Sequence, residues 1–442
     1  GLGALVGAAG AAGGADGAGA QASTRPTADA AASNVRNCRR VAADRRSASI
    51  GVVSPPARRR AHRLPASLEY CPMGIYQKLG VRPVINANAN LTRLGGSRMP
   101  PEVLQAMQDA AGAFVDMFEL QAAVSARIAA LTHNEAALVC TGASAGLVLS
   151  ALACMTGQDK HALARLLSQG PEGLERREII MHCAHRIPYD PAIKLAGGRI
   201  VEVGNALQTF DWELEAAFSE RTAAVVYVAG AHLTRGALPL ECVVQMAHSH
   251  GAPVIVDAAA QLPPPDNLWH FTELGADLVV FSGGKALRGP QASGLIVGRR
   301  ELIDACAMHA SPNQRLGRPM KVGKEEMAGL LVAIERYLEL DHAAHRERCE
   351  RIIANWIAVL GGLPGVHVAR DFPGEAGQPL PRAVVSFEAS LGLDGASVRQ
   401  ALLEREPTID VALADACSIY LNPDCLEPGE ENLVLAGIQA VL

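Results

Sequence analysis

From Ala136 onward, short apolar runs alternate with stretches in which apolar residues recur every three or four positions. Ala136–Cys140, Glu178–His182, Arg199–Val203, Ala223–Val228, Pro253–Asp257, Asp277–Phe281 and Gly294–Gly298 read as strands. Leu147–Met155, Asp190–Leu195, Trp212–Phe218, Leu240–His250 and a short piece near Trp269 read as the helices between them. Strands this apolar must be covered on both faces, and helices alternating with them supply that cover. The pattern predicts an α/β fold with a mostly parallel, seven-stranded sheet and helices on both faces.

Ahead of the sheet, Ile75–Asn86 reads as a short helix leading into a strand. Ala87–Pro101 follows as a polar, glycine-bearing loop of the kind that lines a site. Helical periodicity then runs from Pro101 to about His133 with one break. Beyond Lys321 the pattern changes to a long helix over roughly Glu325–Leu360. Strands at Ala383–Phe387, Thr408–Ala412 and Ser418–Leu421, with helices at Ser397–Glu404 and Glu430–Leu442, then make a small α+β C-terminal domain. The expected division is a low-complexity extension over 1–72, an N-terminal arm and large domain over 73–320, and a linking helix with the small domain over 321–442.

Residues 1–72 are Ala/Gly-rich, then Arg/Ser/Pro-rich, and lack the apolar periodicity needed to offset ordering entropy. An organelle transit peptide and a nucleic-acid-binding arm are two readings of this stretch. The favoured one is that it does not belong to the functional protein, because protein-like patterning starts directly after Met73. The extension also distorts the charge balance. The formal net charge is −5, but the extension holds ten Arg against four acidic residues, leaving 30 basic and 41 acidic residues in the body. An acidic body offers nucleic acid no general attraction. The ten cysteines show no C-x-x-C and no zinc-like Cys/His spacing, so neither a disulfide framework nor a metal is indicated, and a reducing, cytoplasmic setting is expected. Cys140, Cys154 and Cys183 sit in apolar contexts and read as core residues. No apolar run reaches the length of a membrane span.

Folding alone explains poorly a lone lysine set between glycines after an apolar strand, as in Phe281-Ser-Gly-Gly-Lys285-Ala-Leu-Arg-Gly-Pro290. Upstream, Pro253-Val-Ile-Val-Asp257 is a second apolar strand that ends on a carboxylate. Both would lie at carboxyl ends of strands, where ligands gather in such sheets. A lysine and an aspartate so placed fit the anchoring of pyridoxal 5'-phosphate (PLP). The lysine holds the aldehyde as a Schiff base, and the aspartate keeps the pyridine nitrogen protonated so that the ring can draw electrons. A third feature agrees: strand Ala136–Cys140 passes through the small-residue turn Thr141-Gly-Ala-Ser144 into a helix, which presents free backbone N–H groups to a phosphate. The same turn also satisfies G-x-S-x-G, so a serine hydrolase with Ser144, Asp257 and His270 or His309 is an alternative, although it leaves Lys285 unexplained. A protein that keeps the fold without turnover is another.

These residues resemble the fold-type I PLP enzymes of the aspartate aminotransferase-like fold, and within them the group related to bacterial selenocysteine synthase (L-seryl-tRNA(Sec) selenium transferase). The likeness covers about Ile75–Leu442 and is most specific in Leu79-Gly-Val-Arg-Pro-Val-Ile-Asn86, Val256-Asp-Ala-Ala-Ala-Gln261 and Ser282-Gly-Gly-Lys-Ala-Leu-Arg-Gly-Pro-Gln291. It implies Lys285 as the Schiff-base lysine, Asp257 as the pyridine partner, and Gly142, Ala143 and Ser144 as phosphate contacts assisted by Ser282. His185 would stack on the ring, with His182 second. Arg98, Arg315 and Arg318 match basic residues used for an anionic group. The selenium transferases carry a folded N-terminal tRNA-recognition domain, and residues 1–72 have no such pattern. The chain therefore looks nearer the shorter relatives that act on small amino acids, such as the ammonia-lyases of amino-sugar acids like D-glucosaminate 6-phosphate. The expected chemistry is a lyase or transferase reaction of the β-elimination type on an acidic or phosphorylated amino acid, with tRNA as a less favoured partner and a homodimer or higher homo-oligomer as the assembly.

Overall fold

The computed structural model of the chain describes residues 74–442; the 1–72 extension and Met73 lie outside the described residues. After a first strand, β1 (Val84–Ala87), that belongs to another sheet, seven strands form the large sheet. They are β2 (Ala136–Cys140), β3 (Glu178–His182), β4 (Arg199–Val203), β5 (Thr222–Val228), β6 (Val254–Asp257), β7 (Leu278–Ser282) and β8 (Gly294–Gly298). Their order is β2-β8-β7-β6-β5-β3-β4, parallel throughout except for β8, which runs against both of its neighbours. Every strand of the sheet predicted from the apolar runs is present.

Alternation along the strands divides the core in two. Val225 and Tyr227 of β5 face one apolar cluster, while Ala224, Val226 and Val228 face the other. The second cluster is filled by the helix Ala143–Thr156, which is apolar nearly all round because it lies between the sheet and an outer layer containing Arg300–His309. Burying a side chain such as its Leu152 contributes about 1.5–3 kcal/mol.

The small sheet takes β9 (Val366–Asp371), β10 (Arg382–Phe387), β11 (Thr408–Asp415) and β12 (Ser418–Leu421) in the order β1-β11-β12-β10-β9. Here β1 pairs in parallel with β11, Ile85 opposite Ile409. The arm thus supplies an edge strand to a sheet otherwise made of C-terminal residues, so the expected boundary near residue 320 is crossed by the chain. Trp356, fully buried and donating from Nε1 to the Glu431 carbonyl at 3.2 Å, centres this second core.

The expected single helix over Glu325–Leu360 is two helices, Lys324–Glu339 and His342–Leu360. Apolar periodicity continues across the break, but Asp341 caps the second helix, its carboxylate accepting from Ala344 N–H at 2.8 Å. One turn later His345 Nε2 bonds Asp424 Oδ1 at 2.9 Å, tying the helix to the loop after β12. That bond, and then Cys349, raise the His345 pKa from 6.5 to about 10. A raised histidine stabilises the fold below its unfolded pKa, and the contribution is lost as pH climbs through the folded value. Urea midpoints should therefore fall between about pH 6.5 and 10, and His345→Asn should flatten that slope.

Candidate active site

Lys285 follows β7 in a tight turn that is held from both sides. The Gly284 carbonyl accepts from Ser97 N–H and Ser97 Oγ, each at 3.0 Å, and the Lys285 carbonyl accepts from Arg288 N–H at 2.9 Å. Close packing demands the glycine before it: a Cβ on Gly284 would lie 2.3 Å from Gln291 Oε1 and 2.9 Å from Gln291 Cα. Arg288 donates from Nε to the Arg98 carbonyl at 2.8 Å and from Nη2 to Glu427 at 2.6 Å, fastening the turn to the arm and the small domain.

Asp257 closes the adjacent parallel strand β6 and is buried, with Oδ1 accepting from Ala259 N–H at 3.0 Å. Burial raises its pKa, while the Ala259 bond and Lys285 oppose the rise. Burial likewise lowers the Lys285 pKa, opposed by Asp257 and Glu375. The two groups are therefore within electrostatic reach in a low-dielectric site.

Strand β2 leads through Thr141 and Gly142 straight into a helix. Gly142, at φ +94°, caps the helix Ala143–Thr156, whose first N–H groups have no intrahelical partner. Ser144 is exposed there, and Ser282 ends β7 beside Gly294. A buried carboxylate whose Oδ2 has no hydrogen bond among the described residues, a lysine of lowered pKa in the same cavity and a bare helix N-terminus fit PLP. Lys285, Asp257 and the Gly142–Ser144 turn are the groups that would hold it.

Other expected residues lie elsewhere. His185 is fully buried behind β5, its Nδ1 accepting from Val228 N–H at 3.2 Å and its ring 4.5 Å from that of Tyr227. It does not line the Lys285 cavity. Burial and then His182 depress its pKa to about 3, which favours the neutral ring; its buried Nε2 has no hydrogen-bond partner among the described residues, and His182 beside it is buried as well. Arg98 pairs with Glu430 at 3.0 Å and lines an adjoining chamber. Arg315 lines a separate cleft with Phe118 and Leu163; it and Arg318 are exposed, and neither forms an ion pair among the described residues. The serine-hydrolase arrangement is not assembled. His309 bonds Thr156 Oγ1 at 2.8 Å, His270 is exposed, and neither bonds Ser144 or Asp257 among the described residues.

Lys285 and Asp257 share a cavity of about 280 Å³. Its polar lining includes Asn90, Tyr189, His232, Glu375, Asn422 and Asp424, and among the described residues no arginine. Glu375 and Asp424 come from loops of the small domain and carry no local sequence signal. Asn90 lies in the polar loop that sequence had marked as site-lining.

The L-seryl-tRNA selenium transferase family model matches residues 84–360. A Streptomyces 5'-C-glycyluridine monooxygenase-decarboxylase is 37% identical over 81% of this chain and 90% of its own length. The D-glucosaminate-6-phosphate ammonia lyase of Salmonella typhimurium is 35% identical over 83% of this chain and 97% of its own. A solved structure of D-glucosaminate-6-phosphate ammonia-lyase superposes with a TM-score of 0.73 at 33% identity, covering 83% of this chain and 98% of that one. The fold is that of the fold-type I PLP enzymes, and the protein is itself a PLP-dependent enzyme. With β7 delivering Lys285 to the Asp257 end of β6 in that fold, the chain belongs to the L-seryl-tRNA selenium transferase family.

Proposed function

We propose that the protein is a lyase that removes the Cα proton from an acidic or phosphorylated amino acid, expels a group from Cβ, and releases ammonia and a keto acid. The carrying observation is that Lys285, half-buried, and Asp257, buried, stand at the ends of adjacent strands in one cavity. Bound PLP supplies an electron sink for the charge left at Cα. With the cofactor bound, Lys285 Nζ would take the Cα proton; its lowered pKa enlarges the neutral, proton-accepting fraction. Asp257 would keep the pyridine nitrogen protonated, and the Gly142–Ser144 turn, with Ser282, would receive the phosphate.

A second chamber, of about 850 Å³, shares Asn90, Ala286 and Asp424 with the Lys285 cavity and carries five arginines; Arg93, Arg98, Arg288 and Arg336 are paired with Asp410, Glu430, Glu427 and Glu102, and Arg82 forms no ion pair among the described residues. Arg82 and the phosphorylated amino-sugar acid in the Salmonella relative's name support an anionic far end on the substrate. The enzyme is further proposed to act as a homo-oligomer. Phe114 is fully exposed beside exposed Val115 and Phe118, and Arg315 and Arg318 would reach an anion held by the adjoining copy.

The PLP-loaded protein should convert D-glucosaminate 6-phosphate or a related phosphorylated amino acid to keto acid and ammonia in equal amounts, under argon as in air. Oxygen-dependent release of CO2 would instead align it with the Streptomyces relative. A spectral response to seryl-tRNA alone would favour selenium transfer.

A further inference from the structure

Ten residues, 372–381, join β9 to β10, where an antiparallel hairpin needs only about two to five. The surplus is ordered against the large domain. The Ala376 carbonyl accepts from Gln261 Nε2 at 3.1 Å, and a Cβ on Gly377 would stand 2.7 Å from Ala231 N, so the loop backbone lies flat on the segment after β5. Within the loop, Gly374 N–H donates to the Gln378 carbonyl at 2.9 Å, and Ala376 N–H to Gln378 Oε1 at 3.0 Å. This short, braced arch forms one wall of the Lys285 cavity and presents Glu375 there.

Glu375 is exposed and forms no hydrogen bond or ion pair among the described residues. Asp257, by contrast, holds Ala259 N–H, and Asp424 holds His345. A carboxylate braced in position, uncommitted and facing a cavity without arginine is an acceptor awaiting donors. It is also a poor neighbour for a substrate carboxylate or phosphate, which the arginine-bearing second chamber suits better.

From this geometry we infer that Glu375 is a specificity-determining residue that accepts hydrogen bonds from hydroxyl groups on the substrate's carbon chain, selecting polyhydroxylated over alkyl amino acids. The inference deepens the proposed function and rests on it. A carboxylate acceptor bonded to a hydroxyl discriminates between the two chains, because an alkyl chain offers it no donor. The charges facing Lys285 in the cavity are those of Asp257, Glu375 and Asp424, with His232 and Tyr189 the other titratable groups. Glu375 lines the same cavity as Lys285, and its charge, after that of Asp257, opposes the fall in the lysine pKa.

The test uses the PLP-loaded full chain as wild type, Glu375→Gln and Glu375→Asp, titrated with D-glucosaminate and with 2-aminohexanoate, an equally long chain without hydroxyls. Visible absorbance reads the binding. The wild type should prefer glucosaminate, and Glu375→Gln should weaken it by about tenfold or more while leaving 2-aminohexanoate within about twofold. Glu375→Asp should recover part of the loss. Independently, loss of a carboxylate beside Lys285 should lower the pH midpoint of the lysine-linked visible band in Glu375→Gln. Equal losses for both ligands, no loss for either, an unshifted wild-type spectrum with glucosaminate, or an unmoved midpoint would overturn the inference. If the wild type formed no Lys285-linked band at all, the proposed function itself would fall. A normal band without any Glu375 effect would sink only the assignment of Glu375.

Discussion

Lys285→Ala should lower kcat by about three to four orders of magnitude, the loss expected when one group serves as both nucleophile and proton acceptor. It should also remove the visible band that borohydride bleaches. The fold should survive, because half-burial already disfavours the Lys285 charge and its turn is held by backbone bonds from Ser97 and Arg288 that alanine keeps. Steady-state kinetics, the absorbance spectrum and a melting curve of the same preparation separate these effects. Lys285→Arg tests the chemistry more narrowly: the positive charge returns, but a guanidinium does not give up its proton at neutral pH, so activity should stay lost.

Asp257→Asn is expected to be the next most damaging change, costing about two to three orders of magnitude in kcat, by analogy with loss of one preorganised electrostatic group in a dry site. Asparagine keeps the volume and can still accept from Ala259 N–H through its amide oxygen, so the defect is electrostatic. Stability should move the other way without PLP. Burial raises the folded pKa of Asp257, so its ionisation is disfavoured in the fold and stability is lost as pH rises through that folded value. The asparagine variant without cofactor should therefore melt at or above the wild-type temperature at neutral pH. Adding PLP should raise the melting temperature of the wild type more than that of the variant, because only the carboxylate gains a charged partner.

The large sheet was legible because each of its strands is a contiguous apolar run and each covering helix a contiguous stripe. Lys285, Asp257 and the Gly142 turn were legible for the same reason, since each sits at the end of such a run and its neighbours in sequence state its geometry. Glu375 and Asp424 had no such signal. They reach the cavity because the small sheet folds back on the large one, and nothing near Glu375 records that Gln261, 115 positions before Ala376, holds the arch in place.

Pairing across the chain defeated sequence reading in other places. β1 joins β11 more than 300 residues later, so the arm looked like part of the large domain. β9 went unread because its burial is irregular rather than alternating. The helix break at Asp341 was hidden because periodicity ran through it, and only the capping bond marks the stop. For His185 the guide was the family resemblance; in the fold the ring packs against Tyr227 of β5. The arginines were chosen as one anion-binding set; the fold distributes them, with Arg98 in the second chamber and Arg315 in a distant cleft.

The central claim is that Lys285 is the residue to which PLP attaches. Purified full-length protein loaded with PLP, reduced with borohydride, digested and mapped by mass spectrometry tests it most directly. The prediction is a pyridoxyl group on the peptide containing Ser282-Gly-Gly-Lys285, at about one per chain, and on no other lysine. Unlabelled Lys285, or label spread over surface lysines at similar levels, would contradict the account.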